Sequence, residues 1–142
     1  MALQISIPST EYIKLGGKDH LAFNVLSRHS KLEVISQRRY SEFRVLHRKL
    51  EASKTFFKDK ALPVLPSWIR LKALFTNKMN QQEVESRRLS LEQYLKELEP
   101  LLITRSTPFL EKFLKLPTDV VSEWINHYQG FMNVNDGHTY SP

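Results

Sequence analysis

A chain of 142 residues is long enough for one domain with a sizeable core and too short for two, and 41% hydrophobic with 25% charged residues excludes disorder throughout. Lys and Arg number 21 against 15 Asp and Glu, a formal charge of +6 that points to acidic partners such as nucleic acid or an anionic membrane surface. With no cysteine there is no disulfide framework, thiol nucleophile or thiolate metal site, which fits a reducing compartment. Met1 to Ser6 lack a basic segment followed by a long apolar run, and no stretch approaches membrane-spanning length, so any meeting with a membrane is expected from outside.

In chain order, Leu3, Ile5 and Ile7 alternate with Gln4 and Ser6, and Pro8 interrupts the run as at an edge strand or its end. Extension resumes at Tyr12 to Leu15, and Gly16-Gly17-Lys18-Asp19 supplies a hairpin turn. A second strand carries Leu21, Phe23 and Val25 on one face, with Arg28-His29-Ser30 as the connection onward. Leu32 to Gln37 reads as a half-buried third strand. Three consecutive strands with short links form an antiparallel meander, whose apolar face needs a packed partner.

The next helix supplies it, with Tyr40, Phe43, Leu46 and Leu50 at helical spacing. Ser41 is the expected N-cap. Arg38, Arg39 and Tyr40 would then put two guanidinium groups and a flat ring beside a helix N-terminus, which already favours anions. A ligand with both a phosphate and a stackable ring, such as a phosphorylated inositol, suits that equipment. The plainer reading is solvated surface arginines and a core aromatic.

The helix should fade around Glu51 to Lys54. Ala61 to Trp68 carries Pro63 and Pro66 at polyproline II spacing, either an SH3 ligand or an internal strut; Leu62, Val64, Leu65 and Trp68 favour packing. Trp68, Ile69, Leu71, Leu74 and Phe75, interleaved with Arg70, Lys72 and Lys78, fit insertion into a lipid headgroup layer. Asn80-Gln81-Gln82-Glu83 opens the strongest helix as a capping box. Val84, Leu91, Leu95 and Leu98 form its apolar stripe, Arg87 and Arg88 fall on opposite edges, and periodicity does not choose which reaches a cleft. Pro100 is expected to stop this helix. Ser106-Thr107-Pro108 starts another, with Phe109, Leu110, Phe113 and Leu114 inward and Pro117 at its end. Thr118-Asp119 caps a last helix through Val120, Val121, Trp124, Ile125 and Tyr128, followed by a weakly ordered tail from Gly130.

The five histidines are scattered without metal-ligand spacing, and no Gly-rich phosphate loop, paired carboxylates or elbow serine stand out. No enzyme, catalytic residue, metal or cofactor is expected. Nucleic acid is not an expected partner, because basic and acidic residues are interspersed rather than gathered in a stripe.

Together, Arg38-Arg39-Tyr40-Ser41-Glu42-Phe43, the loop Leu62-Pro63-Val64-Leu65-Pro66, and Arg87-Arg88-Leu89-Ser90-Leu91-Glu92-Gln93-Tyr94-Leu95 resemble the PX (phox-homology) domain in order and spacing. Phe109 to Leu114 is similar to that family's closing helix. Ile7-Pro8-Ser9 with the Arg-Arg-Tyr run most resembles small sorting nexins. The resemblance implies an α+β fold, a three-stranded antiparallel meander packed against a helical subdomain of three to four helices with a Pro-rich loop. It implies a PX-like domain over residues 1–116, with a C-terminal helix and flexible tail over 117–142. The implied function is phosphoinositide binding, most often phosphatidylinositol 3-phosphate, by a cytoplasmic protein peripheral on endosomal membranes and engaged in protein transport. By the same resemblance Arg39 holds the 3-phosphate, Tyr40 lies beneath the inositol ring, and Arg87 donates to the ring's far hydroxyls. Where well-binding members carry a lysine two residues after the second loop proline, this chain has Trp68. Arg70 or Lys72 could substitute, or Lys58 or Lys60 approach from the other side. Failing these, lipid preference would be weak or altered, and the alternative is a PX-like scaffold whose partner is a protein.

Overall fold

The computed structural model describes residues 3–29, 31–53, 62–67, 79–104 and 108–117. Three strands, β1 (Gln4–Leu15), β2 (Lys18–His29) and β3 (Leu32–Arg39), form an antiparallel sheet in the order β1-β2-β3. Leu15 pairs with Lys18, so Gly16-Gly17 alone makes the first turn. Both glycines are left-handed, at φ +59° and +77°, the pair of conformations that a twisted two-residue hairpin requires. Arg28 and His29, expected in a connection, continue β2: Arg28 faces Gln4 on one side and Glu33 on the other, with its guanidinium 3.0 Å from the Glu33 carboxylate.

Pro8 does not break β1. Ser6 lies opposite Leu26 while Ser9 lies opposite Asn24, so one extra residue is absorbed as a bulge. Proline, with no N–H to give a ladder, is tolerated at such a point. The bulge also reverses which alternate residues face the core. Leu3, Ile5 and Ile7 are buried before it, whereas after it Thr10 and Tyr12 stand opposite Phe23 and Leu21. On the other face Asn24 donates to Ser9 Oγ (2.9 Å), and Gln37 donates to Asn24 Oδ1 (3.2 Å) and to Glu11. This polar ladder keeps the outer face wet, as a one-sided antiparallel sheet requires.

Helix α1 (Tyr40–Ala52) follows β3 with no intervening loop. Its N-cap is Arg39, extended at φ −87° and ψ 160°, and not Ser41, which is exposed inside the first turn. The Glu42 carboxylate accepts the Arg39 backbone N–H at 3.0 Å, so a first-turn acid does the capping expected of a hydroxyl. Phe43, Leu46 and Leu50 are buried, and Ser53 closes the helix on the carbonyls of Lys49 and Leu50.

Helix α2 (Gln81–Thr104) starts at Asn80 as its N-cap, the Glu83 N–H donating to Asn80 Oδ1 at 2.8 Å and the Asn80 side-chain amide donating to the Glu83 carboxylate at 3.4 Å. Pro100 lies inside this helix rather than at its end, since a proline deletes one backbone hydrogen bond and a well-packed helix can continue past that loss. Helix α3 (Pro108–Leu114) stops before Pro117. Lys115 turns left-handed at φ 57°, its N–H reaches Lys112 O (3.1 Å), and the Leu116 N–H reaches Glu111 O (3.0 Å), a Schellman closure.

The core lies between the sheet and the helices, with Phe43 edge-on to both Phe23 (6.0 Å) and Phe113 (4.8 Å). Tyr94, absent from the predicted stripe, is fully buried with Leu91, Leu95 and Leu98, and its hydroxyl meets His47 Nδ1 at 2.8 Å. From the proline loop, Leu62 and Leu65 pack on this core as expected, whereas Val64 points outward, 86% exposed. The result is the α+β architecture expected, a three-stranded antiparallel sheet with, among the described residues, three helices. No described helix is long and apolar enough to cross a membrane.

Candidate functional site

Alternation along β3 sends the two neighbouring arginines to different tasks. Arg38 lies opposite Phe23 on the core-facing side. Its guanidinium donates to Phe113 O (2.9 Å), Lys112 O (3.1 Å) and Glu42 Oε2 (2.8 Å), and sits 5.3 Å from the Phe113 ring centre. It therefore satisfies carbonyls at the C-terminal end of α3, where a cation is favoured, and ties that helix to β3 and α1. Arg39 points the other way. Its Nε is 3.9 Å from Glu42 Oε1, a long contact between groups each 35% exposed.

Tyr40, the first residue of α1, rests its ring against the core cluster and donates its hydroxyl to Pro66 O at 2.6 Å. The second proline of the loop is thereby fixed to the start of α1. Arg39, Tyr40 and the loop through Ser67 form one corner, at the N-terminus of a helix.

On α2 the two arginines also separate. The Arg88 guanidinium donates to Ile7 O (2.6 Å), the carbonyl beside the β1 bulge, and to Glu85, with Glu92 3.8 Å away. Glu92 in turn accepts the Ile7 N–H at 2.7 Å. The bulge frees both polar groups of Ile7 from the ladder, and one turn of α2 takes them up. Hydrogen bonding to Glu85 holds the Arg88 guanidinium above its ordinary pKa and Glu85 below the usual carboxylate range. Arg88 is a fastener between α2 and β1. Arg87, half-buried, lies one turn before the buried Leu91.

Trp68, Ile69, Arg70, Leu71, Lys72 and Leu74 lie outside the described residues, as do Lys58 and Lys60. The structural duties of Arg38 and Arg88 were missed in the sequence. Strand alternation could have separated Arg38 from Arg39, but nothing in periodicity announces that a helix residue will read a bulge carbonyl. Among the described residues no cluster of His, Asp and Glu could hold a metal ion.

Two solved structures are similar to this chain. A designed CISK-PX domain superposes with a TM-score of 0.64 at 26% identity, covering 79% of this chain and 98% of that one. The mouse SNX19 PX domain, solved with a bound sulphate ion, gives 0.57 at 23% identity over 82% and 98%. The family model of the PX domain matches residues 26–117, more than half of the sequence, with all of β3, α1, α2 and α3 inside it. The chain belongs to the PX domain family.

Proposed function

We propose that this chain reads phosphatidylinositol 3-phosphate at the cytoplasmic face of endosomal membranes, as a sorting-nexin-type targeting module in protein transport. PX domains are in general non-enzymatic, phosphoinositide-binding membrane-targeting modules. The observation that carries the reading is the division of labour at the β3–α1 junction. Arg38 is engaged by Phe113, Lys112 and Glu42, while Arg39 stands partly exposed beside a helix N-terminus, its guanidinium held among the described residues by a long 3.9 Å contact with Glu42. Arg39 takes the 3-phosphate, and Tyr40, steadied by Pro66, supplies the ring's floor. Arg87 donates to the far hydroxyls. Its place one turn before Leu91 supports this, as does the commitment of its neighbour Arg88 to Ile7.

Trp68, Ile69, Leu71 and Leu74 enter the headgroup layer, and Arg70 or Lys72 stands in for the lysine that Trp68 replaces. Residues 1–116 form the lipid-reading domain and 117–142 its C-terminal extension. The competing reading is a PX-like scaffold for a protein partner, favoured by Trp68 at the lysine position and by the outward Val64.

Sedimentation with liposomes containing each phosphoinositide in turn, using wild type and Arg39→Ala, tests the proposal. A preference for 3-phosphorylated lipid that disappears in the variant supports it. Equal recovery on any anionic vesicle, indifferent to the substitution, means that charge alone is at work. Trp68→Ala should weaken vesicle binding more than binding of a short-chain soluble headgroup; equal weakening refutes insertion.

A further inference from the structure

A groove of about 220 Å³ runs between α1 and α3, and neither Arg39 nor Tyr40 lines it. Buried Leu46 and Phe113 line its base, and Val45 on α1 and Phe109 on α3 flank it, with Val45 left 45% exposed. Pockets for small molecules ordinarily measure about 300–1,000 Å³, so this one is matched to one or two side chains rather than to a cofactor.

Its charge is one-sided. Glu42 lines the groove too, but its carboxylate is taken up by the Arg38 guanidinium at 2.8 Å and the Arg39 backbone N–H at 3.0 Å. Arg38 and Glu42 cancel, which leaves the exposed Lys49 on the α1 wall and the exposed Lys112 on the α3 wall. Neither ammonium pairs with a carboxylate among the described residues, and that of Lys49 lies 5.7 Å from the Phe109 ring centre. An occupant that completes this surface carries an apolar anchor for the slot and carboxylates on both sides of it.

Val45 follows Tyr40 by five positions on α1, a rotation of about 140° at 3.6 residues per turn. The groove therefore opens on the other flank of the helix from the Tyr40 ring. Its apolar base is recessed, a shape that receives a projecting side chain, whereas a bilayer receives side chains that project from the protein.

We propose that the groove between α1 and α3 docks an acidic amphipathic helix of a partner protein, with a Leu-, Ile- or Phe-sized anchor between Val45 and Phe109 and carboxylates reaching Lys49 and Lys112. This surface is independent of the lipid-reading corner.

The test is selection on the full chain from a phage-displayed library of amphipathic helices with a Leu, Ile and Phe stripe, its flanking positions free to be acidic or basic. Acidic flanks should be enriched at least about tenfold over basic ones, the discrimination expected of two rim charge pairs. Lys49→Glu with Lys112→Glu should reverse that preference, and Val45→Glu should abolish selection while vesicle binding stays unchanged. Amide shifts produced by a selected peptide should fall at Val45, Lys49, Phe109 and Lys112, with Arg39 and Tyr40 silent. No enrichment overturns the proposal, as do acidic clones that Val45→Glu retains, which net charge alone would explain. Loss of vesicle binding in Val45→Glu would overturn it in favour of a membrane-facing groove, and a concentration-dependent dimer abolished by Val45→Glu in favour of a second copy.

Discussion

Arg38 and Arg39 are adjacent and chemically identical, yet their removal should be read by different assays. Arg38→Ala deletes two charged hydrogen bonds to carbonyls at the end of α3, an ion pair with Glu42 and a stacking contact on Phe113. A hydrogen bond to a charged group contributes about 1.5–3 kcal/mol, and a cation over an aromatic face about 0.5–1 kcal/mol. The side chain is 17% exposed, so water can reach part of what is lost, and the expected cost is about 3–4 kcal/mol. Against a total stability of about 5–15 kcal/mol this is large, and the melting temperature should fall by about 10 °C. Arg38→Lys should recover only part of it, because an ammonium cannot span Phe113 O, Lys112 O and Glu42 with a planar fork. Arg39→Ala removes a 3.9 Å contact between two groups each 35% exposed, worth less than about 1 kcal/mol. Urea unfolding followed by circular dichroism, beside lipid binding of the folded fraction, checks both halves. Equal destabilisation by the two substitutions, or an Arg38→Ala variant within about 0.5 kcal/mol of wild type, would refute the assignment of roles.

Arg88→Ala should lower stability by about 2–3 kcal/mol by stranding the Ile7 carbonyl, while the folded fraction keeps its lipid affinity; chemical denaturation and liposome binding read the two effects. Ser36 is fully buried with no hydrogen-bond partner for its hydroxyl among the described residues, so Ser36→Ala should be neutral or stabilising by up to about 1 kcal/mol in thermal melts. Burial raises the carboxyl of Glu99 above its ordinary pKa, with Lys96 opposing the shift. A raised pKa means that the folded state holds this proton more tightly than the unfolded chain does. Stability from this group is therefore full below the unfolded pKa and is lost as pH rises through the folded one. Glu99→Gln should accordingly raise the melting temperature at pH 7, with the gain shrinking toward acidic pH.

The elements were legible because their signals are local. Alternation gave three strands, Gly16-Gly17 the hairpin, Asn80 to Glu83 the start of α2, and the Phe43, Leu46, Leu50 spacing the buried face of α1. The misreadings lie where a second group competes for the same backbone. A serine at the strand–helix junction looked like the cap until Glu42 took the Arg39 N–H. Pro8 was consistent with an edge strand or its end: β1 is an edge strand, and it runs on past Pro8 through a bulge, which is defined by its partner strand and which a one-dimensional pattern does not contain. Pro100 looked like a stop, though α2 runs on to Thr104. At the candidate site the residue types were visible at once, whereas the allotment of Arg38 and Arg88 to structure depended on carbonyls 75 and 81 residues away in sequence.

Titration of a short-chain soluble phosphatidylinositol 3-phosphate into the isotope-labelled protein, followed amide by amide, bears most directly on lipid reading at this corner. The shifts should concentrate at Arg39, Tyr40 and Arg87 and around Pro66, and Arg39→Ala should abolish them. A diffuse response spread over exposed lysines, or one that survives Arg39→Ala, would contradict it.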